Sequence, residues 1–378
     1  MQTTCFIRFL KEVVKMNSTF VSIAKRENNT KRGYLIVNPL QAKHLPVSPK
    51  AALSVFTDLA KKLEGKYKDE KILFISFAET ATAIGSQVAS SFKSYYIQTT
   101  REFISGVDYI FFSEEHSHAT EQKLVKNDLD SIIEKIDRII FVEDEVSTGK
   151  TILNIIHKIQ ESYKKKFLFS VLSILNSMTL ADEKKYSGID VDFLFLQKID
   201  RSSFEKTACT FSLQGRKFPP DFTPVAYKLF LINGYVNARR IVDSIDYLNS
   251  CETFACKIIE KLSIKSGQKI LVLGSEEFMF PAILTGKKIE DLGNCVKTHS
   301  TTRSPILVFE EKNYPLHSRF NLASLYDKDR HTYIYNLETY DTVLIITDST
   351  LKEEQGLFSL LNALKEFSKD INVIRWVQ

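Results

Sequence analysis

No two cysteines in this sequence stand in Cys-x-x-Cys spacing. The five present, Cys5, Cys209, Cys251, Cys256 and Cys295, are odd in number and scattered, which excludes a zinc ribbon and points to a reducing compartment. Also missing is any apolar run near the roughly 18 residues of a spanning helix. Phe6-Ile7-Arg8-Phe9-Leu10 is too short and too soon charged for a signal peptide, so no membrane partner is expected and the cytoplasm is the default location. Met16 is a second candidate start, which leaves Met1 to Lys15 as a loose extension or a mis-assigned beginning. Basic residues lack clustering too: the net charge of +5 is spread along the chain, with Lys164-Lys165-Lys166 the longest basic run. A nucleic-acid footprint needs clustering, so none is expected.

What is present is an ordinary globular composition. At 378 residues, 44% hydrophobic and 26% charged, the chain has enough material for two domains with ample cores. It is organised around Arg138 to Lys158. Ile139 to Val142 read as a short buried strand, followed by the carboxylates Glu143 and Asp144 and then by small polar residues from Ser147 to Thr151. Ile152, Ile155, Ile156 and Ile159 recur at helical spacing, so the loop opens a helix. Free amides at a helix start, with Gly149 permitting close approach and hydroxyls alongside, suit a phosphate monoester. The two acids upstream would repel a bare phosphate and need ribose hydroxyls, a metal ion or both. A sugar phosphate satisfies both halves. An ATP-type P-loop would require a glycine where Asp144 stands, and that reading is rejected.

Taken in order, Met1 to Arg32 is polar, basic and expected to be partly disordered. Tyr34 to Val37 is a strand, and Asn38 to Pro46 an irregular loop in which Lys43 and His44 either face solvent or meet an anion or an acceptor. Ala51 to Leu63 is an amphipathic helix and Lys71 to Ile75 the next strand. The small residues Ala78, Glu79, Thr80, Ala81 and Thr82 then enter a helix, either to bring amides near an anion or to pack closely on a sheet. Tyr95 to Gln98 is a strand ending in Thr99, Thr100 and Arg101, where the arginine is a phosphate fork or a surface residue. His116 and His118, beside Glu114 and Glu115, share a face if extended, but a third zinc ligand is wanting. Phe167 to Leu175 and Val191 to Leu196 are further strands, and Arg216 to Pro224 reads as a linker.

Beyond the linker the order repeats. Lys269 to Leu273, followed by Gly274, Ser275, Glu276 and Glu277, parallels Lys71 to Ile75 and its turn; Thr301-Thr302-Arg303 parallels Thr99-Thr100-Arg101; Asp341 to Thr350 parallels the central strand and acid. The second copy has Leu351 to Gly356 in place of the compact phosphate loop, so it is not expected to bind a sugar phosphate itself. A second α/β domain of related topology follows.

The central stretch resembles the 5-phosphoribosyl 1-diphosphate (PRPP) motif of type I phosphoribosyltransferases. With Phe77 to Thr82, Glu115 to His118, Glu276 to Met279 and Thr302-Arg303-Ser304-Pro305, the chain from Tyr34 onward resembles orotate-phosphoribosyltransferase-like proteins with a C-terminal TRSP domain. Such proteins are associated with bacterial tellurite-resistance and stress gene clusters. The resemblance implies an α/β fold, type I phosphoribosyltransferase-like, with a Rossmann-like parallel sheet flanked by helices, and a second α/β domain. It divides the chain into a flexible extension (1–32), a phosphoribosyltransferase-like domain (33–215) and a TRSP domain (216–378). It implies Mg2+-dependent phosphoribosyl transfer from PRPP to a nitrogenous base or base-like acceptor, or alternatively a non-catalytic PRPP-responsive regulatory or scaffold protein.

By that resemblance Glu143 and Asp144 hold the ribose hydroxyls, with Asp144 the ligand for Mg2+, and Ser147, Thr148, Gly149, Lys150 and Thr151 hold the 5-phosphate. Ala78 to Thr82 bind the diphosphate with Thr100 and Arg101, and His116 and His118 sit on a closing lid as catalytic residues, one or the other donating a proton or hydrogen bond to the departing diphosphate. Lys43, His44, Glu276, Glu277 and Arg303 are left for an acceptor or second site. The partners implied are PRPP and a small-molecule acceptor, and a homodimer is compatible with this reading.

Overall fold

A computed structural model describes residues 20–113 and 121–378, apart from 28, 30 and 31. The chain begins with an antiparallel hairpin of β1 (Ser22–Lys25) and β2 (Tyr34–Val37). The segment expected as a flexible extension therefore supplies a strand. Its apolar Ile23 and Ala24 pair with Ile36 and Leu35, a long-range match that local polarity conceals.

Two parallel sheets follow. The first has the order β12-β4-β3-β7-β8-β9, built from β3 (Ile72–Ser76), β4 (Tyr95–Gln98), β7 (Arg138–Val146), β8 (Leu168–Asn176) and β9 (Val191–Lys198), with β12 (Val242–Asp243) antiparallel at its edge. A separate antiparallel pair is formed by β5 (Tyr109–Ser113) and β6 (Glu121–Val125). Ile139 to Val142 are fully buried at the centre, as an uninterrupted apolar run requires in a sheet covered on both faces. The second sheet has the order β11-β18-β17-β13-β14, from β11 (Lys228–Asn233), β13 (Lys269–Gly274), β14 (Cys295–Ser300), β17 (Thr342–Thr347) and β18 (Asp370–Val377). The residues expected as a linker are tied down: β10 (Arg216–Phe218) pairs with β15 (Ser318–Ala323), which also pairs with β16 (His331–Tyr335).

The repeated sequence order corresponds to repeated topology. Strands β4-β3-β7-β8 and β14-β13-β17-β18 occur in the same all-parallel order. Details repeat too. The amide of Lys71 donates to Asp137 at 2.8 Å, and that of Lys269 to Asp341 at 2.7 Å. The amide of Ala78 donates to Thr99 Oγ1 at 2.8 Å, and that of Glu276 to Thr301 Oγ1 at 3.0 Å. Helices Thr82–Ala89 and Phe280–Asp291, which follow the equivalent turns, pack together with Pro49–Ala60 and Ser244–Leu262 in one apolar cluster that reaches both sheets. This shared layer brings the turns after β3 and β13 face to face.

Candidate functional site

At the carboxyl end of the first sheet lies a cavity of about 700 Å³, walled by both halves of the chain. Its floor is the end of β7, where Glu143, Asp144 and Glu145 are half-buried. Asp144 accepts from Gln41 Nε2 at 2.8 Å and Thr80 Oγ1 at 3.1 Å. Burial raises the Asp144 pKa, against the opposing pull of those two bonds. Glu145, which the sequence reading passed over, is held by Arg32 at 2.9 and 3.0 Å.

The loop expected to take the 5-phosphate is built around Gly149, whose φ of 72° caps helix Lys150–Ser162. A Cβ there would meet the Tyr186 hydroxyl at 2.7 Å, so only glycine lets the turn close. Ser147 and Thr151 line the cavity, Lys150 is exposed, and the Thr148 hydroxyl faces the Lys150 amide at 3.4 Å.

Opposite stands the turn after β3. Ala78, Glu79 and Thr80 face the cavity, whereas Ala81 is fully buried in the helix layer. The close-packing alternative is thus met at Ala81, while Ala78 to Thr80 are left bordering the cavity. The Ala78–Glu79 peptide is cis, and Gln122 Nε2 donates to Ala78 O at 2.9 Å. Glu79 is not directed at open space. It accepts from Thr302 Oγ1 at 2.6 Å and the Arg303 amide at 2.9 Å, with Lys43 Nζ at 3.3 Å.

The equivalent residue of the second half does the converse. Glu277 accepts from Thr100 Oγ1 at 2.7 Å and the Arg101 amide at 2.8 Å. Each half therefore places its turn carboxylate on the Thr-Arg corner of the other. Thr100 is accordingly turned to Glu277, away from the role of diphosphate ligand, while Arg101 still lines the cavity. Thr82 likewise donates to Glu277 O at 3.0 Å. Burial would raise the pKa of both carboxyls, but the cations and donors around them win: Lys43 and Arg303 at Glu79, Arg303 and Arg239 at Glu277, each held down to about 2.

Lys43, left open as a solvated residue, is fully buried and donates to Glu276 O at 2.7 Å and Thr301 O at 2.9 Å. Glu276 and Glu277 belong to the joint between the halves, whereas Arg303 both joins it and borders the cavity, donating to Glu276 at 2.9 Å and Glu102 at 2.7 Å. His44 lines the cavity. Lys123, also on the wall, lies 3.7 Å from the Phe103 ring centroid; neither it nor Gln41 carries a local motif that would single it out. Glu114, Glu115, His116 and His118 lie outside the described residues.

Residues 20–198 match the family described as phosphoribosyl transferase (PRTase_2), and residues 247–364 the TRSP domain C-terminal to it. No curated protein matches. Among solved structures, adenine phosphoribosyltransferase from Rhodothermus marinus is 10% identical, with a TM-score of 0.36 over 50% of this chain and 99% of that one. The Trypanosoma brucei enzyme, in complex with AMP, pyrophosphate and ribose-5-phosphate, is 13% identical (TM-score 0.38; 53% and 84% covered). A hypoxanthine phosphoribosyltransferase from Staphylococcus aureus is 12% identical (TM-score 0.26; 42% and 77% covered). The two family matches, in order along one chain, place this protein among the phosphoribosyl transferases that carry a TRSP domain, a family of pentosyltransferase enzymes.

Proposed function

We propose that the chain transfers the 5-phosphoribosyl group of PRPP to a nitrogenous base or base-like acceptor, with Mg2+, releasing pyrophosphate. The observation that carries this reading is the convergence on one cavity of Glu143 and Asp144, the Ser147 and Thr151 hydroxyls at a helix start, and the Ala78 to Thr80 turn. Glu143 and Asp144 take the ribose hydroxyls, and the loop at Gly149 takes the 5-phosphate. The diphosphate lies along Ala78 to Thr80, with Arg101 and Lys123 as the nearby cations.

In the reaction the C1–O bond to diphosphate breaks, an acceptor nitrogen bonds C1, and that nitrogen loses its proton. Positive charge grows on the ribose ring while the diphosphate gains negative charge, so positioning and fixed charges do most of the work. The carboxylates at the end of β7 lie on the side where positive charge grows. Asp144 would hold the metal: half-buried and pushed up in pKa, it gains from a cation, and Mg2+ characteristically binds through one or two carboxylates plus substrate phosphates. Bound there, the ion would neutralise charge on the departing diphosphate. Among the described residues no group of three or more His, Cys, Asp or Glu is assembled as a metal site of its own, so the substrate's oxygens would supply the rest of the shell.

Calorimetric titration of PRPP, with and without Mg2+, tests the reading. Mg2+-dependent binding to the wild type, lost in a folded Asp144→Ala variant, is the expected result. Full affinity in that variant would remove the sugar-phosphate assignment.

A further inference from the structure

Between β15 and β16 the second half sends a tight loop to the wall of the cavity. Ser324 N donates to Arg330 O at 2.9 Å and Arg330 N to Asp327 O at 3.1 Å, so the chain turns back on itself. Ser324 Oγ accepts from Tyr326 N at 3.0 Å and donates to Glu276 at 2.5 Å, which ties the turn to the joint between the halves. Asp327, Asp329, Arg330 and His331 all line the cavity. His331 is also the first residue of β16, paired with Ala323, so its backbone is fixed by a sheet.

These four side chains differ in what they can offer a ligand. Arg330 is committed, to Glu102 at 2.5 Å, Glu276 at 3.1 Å and Asp327 at 3.2 Å, and Asp327 is engaged by it in turn. Asp329 and His331 are exposed, and among the described residues neither side chain has a partner in the fold. A built loop that ties down two of its side chains and leaves an imidazole and a carboxylate on a cavity wall presents them to what fills the cavity.

Position decides which part of the ligand they meet. Thr302 and Arg303 hold Glu79, in the turn after β3, while Arg303 and Arg330 hold Glu102, beside Arg101 after β4. On the proposed function these are the two elements that flank the diphosphate, whereas the ribose acids and the 5-phosphate loop lie at the end of β7. A bare diphosphate would be repelled by Asp329. One that carries Mg2+ would not, because the ion takes one or two carboxylates along with substrate phosphates and leaves phosphate oxygens for an imidazole.

We propose that His331 and Asp329 of the TRSP domain form one wall of the diphosphate subsite, with His331 donating to a phosphate oxygen and Asp329 a carboxylate for its Mg2+. The inference rests on the phosphoribosyl-transfer reading and deepens it, giving the second domain a part in binding the leaving group. As the C1–O bond breaks, its electron pair departs with the diphosphate, and the His331 donor meets the growing negative charge.

Calorimetry on the full chain separates the subsites without any acceptor. Mg2+-pyrophosphate and ribose 5-phosphate are titrated separately into wild type and variants. His331→Ala should raise the Kd for Mg2+-pyrophosphate about tenfold, as loss of a hydrogen bond to a charged group implies, with the Kd for ribose 5-phosphate within twofold of wild type. Asp329→Asn should weaken Mg2+-pyrophosphate in the same selective way. Lys328→Ala, on the same loop but exposed and off the cavity wall, should leave both ligands unchanged. His331→Gln keeps a neutral donor and should recover part of the loss, and it replaces His331→Ala in the comparison if the alanine variant does not fold. Unchanged pyrophosphate affinity in the His331 or Asp329 variants, an equal loss for both ligands, or an equal loss in Lys328→Ala would each overturn the proposal. So would a wild type that binds ribose 5-phosphate but not Mg2+-pyrophosphate. A wild type that binds neither of these nor PRPP would instead bring down the phosphoribosyl reading beneath it.

Discussion

Gly149 and His44 show how differently single residues are written into this chain. At Gly149 the backbone has φ of 72° and a Cβ would press on Tyr186 and Met178 at 2.7 and 3.1 Å. Gly149→Ala should therefore lose about 1–2 kcal/mol from the left-handed conformation alone, more from the contact, and weaken binding of ribose 5-phosphate. Urea denaturation and calorimetry check the two parts separately. That glycine was legible from its neighbours in sequence. The burial of Lys43 and His44 was not: the carbonyls that hold Lys43, those of Glu276 and Thr301, come from the far half of the chain, and so do Arg303 to Ile306, which line the same cavity as His44. The histidines also set a pH dependence. His44 and His299 ionise near 6.5 when unfolded, but burial holds them to about 3 and about 4 when folded. The unfolded chain thus binds more protons below pH 6.5, and stability falls as pH drops from there. Glu79 and Glu277, ordinarily near 4.5 and held to about 2, contribute stability above 4.5 that is lost as pH falls through about 2. Glu102, raised by burial and by Glu277, acts with the opposite sign. Urea midpoints for His44→Gln should show a shallower slope between pH 6.5 and 4; an unchanged slope would mean that His44 already binds its proton in the folded state.

Among the elements, the turns after β3 and β13 with their following helices form a reciprocal joint. Glu79 caps Thr302 and Arg303, Glu277 caps Thr100 and Arg101, and Arg303 reaches Glu79, Glu276 and Glu277 together. Removing one member of a buried ion pair strands the other, at about 3–5 kcal/mol. Glu79→Ala and Glu277→Ala should each cost that much. Because both act on Arg303, the double variant should lose less than the sum of the two. Strict additivity in denaturant melts would show that the two caps work independently. The strand-turn-helix echo was readable because strand, turn and Thr-Arg corner recur at similar spacing. Its meaning was not, since a sequence repeat records that two units are alike and not that each completes the other. Strand β1 was missed for a related reason, as four half-polar residues become a strand only when β2 and the Ile306 bridge receive them.

For the molecule as a whole, the consequence is that the TRSP half is no detachable appendage. One apolar cluster runs from Ile140 and Val142 of the first sheet through the helix layer to Val272 and Ile346 of the second. Unfolding either sheet exposes this cluster and breaks the reciprocal caps, so both should melt in one transition. The chain carries its own reporter, because its single tryptophan, Trp376, lies on β18, 2% exposed and stacked on Phe254 at 4.6 Å between centroids. Tryptophan fluorescence therefore follows the second sheet, while far-UV circular dichroism follows both. Their denaturation curves should coincide. On the proposed function, PRPP with Mg2+ would bind at the end of β7, stabilise only the folded state and add about 2.7 kcal/mol at one hundred times its Kd. If the halves are one cooperative unit, that increment appears in full in the Trp376 signal, although the proposed ligand site lies on the first sheet. A Trp376 transition that ignores PRPP while circular dichroism splits into two steps would show instead that the second half only shields the cavity, without sharing its stability.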